Sequence, residues 1–376
     1  MFCAWIMITI FYTVKYITTI NNYLIFKYSF FNALNGRNLY EEYPEYYFDT
    51  NHYGPLFSLI MAPFALLPGV LGIYLWQICN VSLLFFAINK LPLSTFKRNL
   101  ICLVCTQELI ISLKEFQTNG AIAALIILAW VMVENKKDFW VGLFIMLGFM
   151  IKIYGIIALA FFLFSSNKWR FVFSVFAWGV ILFVLPMLLF SPEFIVNSYA
   201  DWYHSLASKN ATNIEATTLY QDVSVMGMVR RIMGHKIQIM PFLVGGAILY
   251  LTSCYKVYKF KEMESRLLLL SSSLLFVVLF STGSELVTYI IAFTGIAIWF
   301  MSRPSPLTGF QIGVFIFAIY FGSLFLTDIF PHYIKANYIK PYALKALPCL
   351  IIWLTIIWDM VTYKSDKSNQ QIQHKI

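Results

Sequence analysis

Residues 139–164 read FWVGLFIMLGFMIKIYGIIALAFFLF, an apolar run broken by a single charge, Lys152. A helix needs about 20 apolar residues to cross the roughly 30 Å hydrocarbon core of a bilayer. The run is too long for one such helix and too short for two, so it predicts either a broken helix pair or one kinked span. Apolar runs recur from end to end with short polar connectors between them. Of 376 residues, 60% are hydrophobic, 18% aromatic and only 12% charged, whereas a soluble domain carries roughly 25% charged residues. The bilayer must therefore solvate most side chains, and only closed backbone hydrogen bonding survives there. The predicted fold class is an all-α polytopic membrane protein with about 11–13 transmembrane helices. It forms a single integral membrane domain over residues 1–376, with no soluble second domain.

The net charge of +9 would suggest nucleic acid in a soluble protein. In a membrane protein it reports topology, because Lys and Arg collect in cytoplasmic loops; no nucleic-acid partner is predicted. The basic connectors are Lys90 to Arg98, Glu134 to Asp138, Asn167 to Arg170, Lys256 to Arg266, the Arg303 turn and the tail from Lys364. They alternate correctly if residues 53–67, broken by Pro55 and Pro63, do not cross but lie in the interface or re-enter. Helices are then expected near 3–20, 70–88, 99–113, 118–133, 139–151, 153–165, 170–190, 239–255, 267–281, 286–301, 309–327 and 345–362. Residue Lys15 and the lack of a small-residue cleavage site point to a retained first helix. The expected location is the cytoplasmic (inner) membrane, multi-pass, with both termini cytoplasmic and residues 363–376 as a cytoplasmic tail.

The outer face then receives a first loop (21–69) with its interfacial or re-entrant segment, and a long loop (191–238) whose polar stretch, Asn197 to Asn213, is expected to lie over the site. It also receives the turn Lys114 to Asn119, the break at Lys152, the turn Thr282 to Glu285 and the segment Thr327 to Leu344. Charge at membrane depth is costly and usually faces a cavity or a partner. Glu108, Lys114, Glu115, Gln117, Asn119, Lys152, Glu285, Asp328 and His332 all fall beside these outer segments, so a site opening outward is predicted. The six cysteines lie in apolar stretches and give no disulfide framework. Cys102 and Cys105 form a CxxC inside one helix, where packing is the expected role. No Walker loop, dinucleotide fingerprint or metal-ligand spacing is present.

At these outer segments the residues resemble a known family. Asn35-Gly36-Arg37-Asn38-Leu39-Tyr40, Tyr53-Gly54-Pro55-Leu56-Phe57 and Ala62-Pro63-Phe64-Ala65-Leu66-Leu67-Pro68 resemble the first outer loop of the family 87 glycosyltransferases, which are membrane enzymes of the GT-C class. Leu113-Lys114-Glu115-Phe116-Gln117-Thr118-Asn119 is similar to that family's LKxGQxN turn, and Met150-Ile151-Lys152 to its IKP. Leu219-Tyr220-Gln221 through Val229-Arg230-Arg231 resembles its NQSLxGLLRR-like segment, and Ser281 to Tyr289 its SPxSxxHY-like segment. The resemblance implies transfer of a hexose, typically mannose, from a polyprenyl-phosphate carrier to a hydroxyl of a glycolipid or glycan acceptor. It implies membrane lipids as surroundings, no covalently bound cofactor, and leaves a divalent metal undecided.

Such transfer needs a carboxylate base, cations for the departing phosphate and polar groups to orient two sugars. The family's usual acidic residue after the first helix aligns with Asn21 or Asn22, and an amide cannot act as a base. Asp49 is the first candidate for the base, with Glu285 second and Glu42 or Glu45 third; a turn or cap role competes for Asp49. Lys152, Lys114, Arg230 and His52 are the candidates for phosphate binding. Against this, Lys152 could snorkel, Lys114 could pair with Glu115 or Glu108, and Arg230 with Arg231 could touch lipid headgroups. Asn22, Tyr53, Gln117, Asn119, Tyr220, Gln221 and Tyr289 suit sugar hydroxyls, with helix capping competing for Asn119. Glu285 and Tyr289 are spaced to share a helix face. Tyr40, Tyr43, Tyr46, Tyr47 and Phe48 could stack on sugars or form an interfacial belt. The rival from another class is a transporter or flippase of lipid-linked sugar, against which stand the absence of readable pseudo-symmetric halves and the length of the outer loops.

Overall fold

The computed structural model of the protein describes residues 1–215, 221–234, 237–258 and 262–362, and among these there is no β-strand. The chain is an all-α polytopic membrane protein. Among the described residues, four helices are long and apolar enough to cross a membrane: Leu71–Asn89, Lys168–Leu188, Met240–Tyr258 and Gly309–Leu326. Shorter apolar helices accompany them, among them Phe2–Lys15, Asn119–Glu134, Asp138–Ile151 and Ala346–Thr362. The fold has two compact units, Met1–Thr217 with Leu286–Ile291, and Thr218–Glu285 with Ala292–Ile376.

The first unit contains α1 (Phe2–Lys15), α2 (Asn21–Leu34), α3 (Leu56–Ala65), α4 (Leu71–Asn89), α5 (Thr95–Lys114), α6 (Asn119–Glu134), α7 (Asp138–Ile151), a 3-10 helix (Ile153–Phe164), α8 (Lys168–Val184) and α9 (Pro192–Glu215). Helix α6 is its axis. Every residue from Ile122 to Val131 is buried, as expected of a helix that is apolar all round. Without a hydrophobic drive between helices in lipid, close backbone approach has to hold them together. The Ser174 hydroxyl of α8 accepts from the Gly142 N–H at 3.2 Å and donates to the Phe139 carbonyl at 2.5 Å. A side chain at Gly142 would collide with Ser174.

The run that opened the sequence reading is a hairpin. Lys152 is extended (φ −148°, ψ 126°), and the chain reverses there so tightly that Gly148 and Gly155 touch through their backbones. At the other end Ser165 donates to Asp138 at 2.9 Å, so the two arms finish level. The 14 residues of α7 cover about 21 Å at 1.5 Å each. The 12 residues of the 3-10 arm cover about 24 Å at 2.0 Å each. The steeper rise of the 3-10 helix lets the shorter arm match the longer one. Of the two expectations for this run, the broken pair is the one that forms, and the Ser165–Asp138 contact brings the basic connector Asn167 to Arg170 next to Glu134 to Asp138.

Two of the segments expected at the outer face are more regular than the sequence suggests. The segment 21–69 begins with α2, and the polar stretch Asn197 to Asn213 belongs to α9, a helix of 24 residues. Its buried face is thin: Ile195, Ser198 and Trp202 are buried at helical spacing, only two of them apolar, while the opposite face is polar enough to read as loop.

The second unit contains α10 (Val225–Met233), α11 (Met240–Tyr258), α12 (Met263–Leu279), the later part of α13 (Tyr289–Ser302), α14 (Gly309–Phe317), the single turn α15 (His332–Ile334) and α16 (Ala346–Thr362). Helix α16 packs on α11 and α12, where Trp353 donates to the Ser272 hydroxyl at 3.0 Å. Gly295 of α13 lies against the Ser271 carbonyl of α12. At one end Arg303 is paired with Asp359 and stands 3.7 Å from Glu264. The Arg303 turn, the start of α12 and the end of α16 are thereby level.

Candidate functional site

The polar cluster of the first unit is built where the first-loop motif meets the Lys152 break. Gly54 lies directly on the end of α7: its N–H donates to the Ile151 carbonyl at 3.3 Å, and a Cβ there would sit 2.1 Å from the Met150 carbonyl oxygen. Only glycine permits that approach. Beside it, buried Tyr53 stacks on Phe57 with ring centres 4.6 Å apart, and its hydroxyl donates to Gln117 Oε1 at 2.7 Å while accepting from Thr118 at 3.0 Å. The Tyr40 hydroxyl closes the loop onto the Tyr53 carbonyl at 3.0 Å.

The turn between α5 and α6 supplies the other wall. Phe116 adopts a left-handed conformation (φ 53°) and is fully buried, and its carbonyl accepts from Trp76 Nε1 at 3.0 Å. That corner delivers Gln117, Thr118 and Asn119 to one place. The Lys152 ammonium donates to Asn119 Oδ1 at 2.9 Å and lies 4.9 Å from the centre of the Tyr154 ring. Asn119 Nδ2 in turn donates to the Val287 carbonyl at 3.1 Å. Asn119 is thus occupied at both ends of its amide, as a holder of Lys152. Gln117 Nε2 takes no hydrogen-bond partner among the described residues.

Helix α9 closes the cluster from the other side. Trp202 Nε1 donates to the His52 carbonyl at 2.9 Å, and the Ser205 hydroxyl lies 2.9 Å from His52 Nδ1. Burial first, then the ammonium of Lys209, pushes the His52 imidazole down to about 4; Asp49 opposes this, and Lys152 adds to it. His52 is therefore neutral at physiological pH, a hydrogen-bonding group and not a cation.

The remaining predicted residues are placed as follows. Asp49 is exposed in a left-handed turn (φ 78°), with its Oδ1 accepting from the Thr50 N–H at 2.8 Å. Asn21 clamps the Phe48 backbone from both sides at 2.7 and 2.8 Å, and Asn22 donates to the Glu115 carbonyl at 2.8 Å. The positions aligned with the family's acidic residue thus brace two loops. Lys114 leaves the cluster and sits 5.5 Å from the rings of Tyr12 and Tyr16. Glu42 and Glu45 are exposed. Tyr289 is fully buried in the first unit. It begins α13, whereas Glu285 precedes the 3-10 turn Leu286–Thr288, so the two do not share a regular helix face. Tyr220 lies outside the described residues.

In the second unit Arg230 forms a buried ion pair with Asp222, eight residues earlier. Asp222 is left-handed (φ 48°) and also accepts from Ser224 at 2.6 Å. Ser224 caps α10 through the Gly227 N–H at 3.1 Å. Arg231 donates to the Gln221 carbonyl at 2.6 Å. Arg230 and Gln221 thus belong to a loop built around Asp222, which the sequence reading did not single out.

Two further features also went unread. One is Asp201 on α9, half-buried, whose Oδ2 accepts from Asn38 Nδ2 at 3.3 Å. The other is an open groove of about 750 Å³ between the hairpin and α8, lined almost wholly by apolar side chains such as Met146, Met150, Phe162, Phe171, Gly179 and Phe183. Its Met150 end lies two residues from Lys152.

A family model described as glycosyltransferase family 87 matches residues 51–282, more than half of the chain. That span contains the Tyr53-Gly54-Pro55 motif, the 117–119 turn, Lys152 and α9. No curated protein matches the chain.

Proposed function

Because the chain belongs to glycosyltransferase family 87, we propose that it moves a hexose, mannose first among the choices, from a polyprenyl-phosphate carrier to an acceptor hydroxyl at the outer face of the cytoplasmic membrane. Membership makes it a membrane glycosyltransferase; the donor, the sugar and the side are our reading. The observation that carries the reading is the setting of Lys152. It places an ammonium, steered by Asn119 and Tyr154, at the break of a membrane hairpin and beside the end of a long apolar groove. A lipid phosphate has this same pairing of a charged head with a hydrocarbon chain.

In this mechanism the carrier's chain occupies the groove and its phosphate meets Lys152. As the bond between sugar C1 and the phosphate oxygen breaks, charge builds on the phosphate. An ammonium already held in place stabilises that charge without reorganising. Neutral His52, fixed by Ser205 and Trp202, and the unoccupied amide nitrogen of Gln117 are suited to sugar hydroxyls. A carboxylate on the loop side takes the acceptor's proton; Asp49, whose charge acts on His52, and Asp201, whose charge acts on Tyr40, are the two candidates around the cluster. Glycolipids or glycans of the membrane are the expected acceptors.

The test uses the purified protein in lipid vesicles supplied with labelled polyprenyl-phosphate mannose and a lipid extract of its host. A new labelled glycoconjugate supports the reading. Labelled donor that crosses the bilayer intact, with no product, would establish a flippase instead. Product from a nucleotide sugar alone would overturn the donor and the side together.

A further inference from the structure

We propose that Asp201, on α9, is the catalytic base of the transfer, an assignment that rests on the lipid-phosphate donor reading above. A base needs one oxygen held and one free, in a position fixed by the fold. Asp201 meets each condition. Its Oδ2 accepts from the Asn38 amide at 3.3 Å, within the Asn35-to-Tyr40 stretch of the first loop. Its Oδ1 has no hydrogen-bond partner and no cation within ion-pair distance among the described residues. The side chain is half-buried, and it faces the Tyr40 phenol closely enough to add to the upward shift that burial and Tyr199 impose there.

The support is rigid. Asp201 lies on a helix of 24 residues, and one turn along the same face Ser205 holds the His52 ring. The next residue, Trp202, holds the His52 backbone. The loop that α9 grips in this way continues into Tyr53, whose hydroxyl reaches Gln117. The carboxylate is therefore carried by the same contacts that assemble the Lys152 cluster. Asp49 has none of this support: it is exposed in a left-handed turn and spends an oxygen on its neighbour's N–H. Asn21 and Asn22, where the family carries an acid, are occupied with backbone clamps.

The step balances without a further reactant. The acceptor hydroxyl oxygen forms a bond to sugar C1, and its proton passes to Asp201 Oδ1. The bond from C1 to the phosphate oxygen breaks with its electron pair leaving on the lipid phosphate at Lys152. Asp201 later returns the proton to water.

The experiment compares wild type, Asp201→Asn, Asp201→Glu and Asp49→Asn in vesicles with labelled polyprenyl-phosphate mannose. It follows initial rates across pH, the donor KM and the thermal midpoint, with Glu193→Gln on the exposed face of α9 as control. Asp201→Asn keeps the oxygen that Asn38 binds, so the midpoint should hold. The turnover should fall at least about a hundredfold, with little change in donor KM and with loss of the acidic limb of the pH profile. Asp201→Glu should restore part of the rate, which a purely structural role would not predict. Turnover within about threefold of wild type in Asp201→Asn, or loss confined to Asp49→Asn, would overturn the assignment and leave the transferase standing. A wild type that forms no product from any lipid-phosphate sugar would instead overturn the donor reading.

Discussion

Two cations that look alike in sequence, Lys152 and Arg230, are used in opposite ways. Each sits in a motif resembling a family segment, and each was a candidate for phosphate. Arg230 is buried against Asp222, and the same carboxylate is bonded by the hydroxyl that caps α10. In that loop the Arg230 charge is spent on a buried carboxylate and serves folding. Lys152 is steered by an amide oxygen and an aromatic ring at the one place where the hairpin opens beside an apolar groove. A buried ion pair stabilises mainly by not being broken, whereas an ammonium at a hairpin break beside an apolar groove is placed to meet the charged head of a lipid. The difference lies in the surroundings, which sequence spacing does not display.

The largest expected effect breaks the Arg230 side of that comparison. Arg230→Ala leaves Asp222 as an uncompensated buried charge and should cost about 3–5 kcal/mol, read as a large drop in thermal midpoint in detergent. Replacing both partners with apolar residues should recover much of it. If the single variant keeps its midpoint but loses transfer, Arg230 belongs with Lys152 and the contrast collapses.

Lys152→Met is the complementary case. Removal of one preorganised group at developing charge lowers turnover about 10²–10³-fold, and the midpoint should move far less than in Arg230→Ala. Turnover in vesicles and thermal unfolding of the same sample decide it; unchanged turnover removes Lys152 from the phosphate.

A smaller effect probes the scaffold between them. Gly54→Ala forces a methyl group against the Met150 carbonyl, an overpacking that costs about 1–3 kcal/mol. Because Gly54 adjoins the Lys152 break, activity should fall together with stability. An alanine variant of wild-type stability would show that the loop does not rest on α7 as described.

Much of this arrangement was legible before any coordinates. The lone Lys152 in an apolar run marked a break, with a helix pair and a single kinked span both open, because a charge in lipid is costly; the structure resolves it as the pair. Tyr53, Gly54, Gln117 and Asn119 were found by motif and do converge. Asp201 and Ser205 were missed for a physical reason. The apolar face of α9 is thin, with Ile195, Ser198 and Trp202 as its buried residues near the cluster, so the segment reads as polar loop and its carboxylate has no visible address. Asp222 was missed because an ion pair eight residues apart needs a left-handed turn that no motif announces. The 3-10 arm was equally hidden, since its composition is that of any membrane helix.

The smallest expected effect concerns His52, whose imidazole the fold holds neutral beside Ser205 and within the field of Lys209 and Lys152. Its folded value of about 4 lies below the ordinary 6.5, so the unfolded chain binds the extra proton first as the pH drops. The stabilisation from neutral His52 is present above 6.5 and is lost as the pH falls toward 4. The thermal midpoint should therefore decline across that window, and His52→Asn should flatten the decline. Lys209→Gln should raise the lower edge of that window and so shrink the decline, since removing the ammonium with the larger effect on His52 raises the imidazole's affinity for a proton. If the midpoint of wild type is level from pH 7 to 4, or if Lys209→Gln leaves it unmoved, α9 does not bring its cation to the loop. The cluster around Lys152 would then be less positive than the geometry implies, and phosphate binding would rest on Lys152 alone.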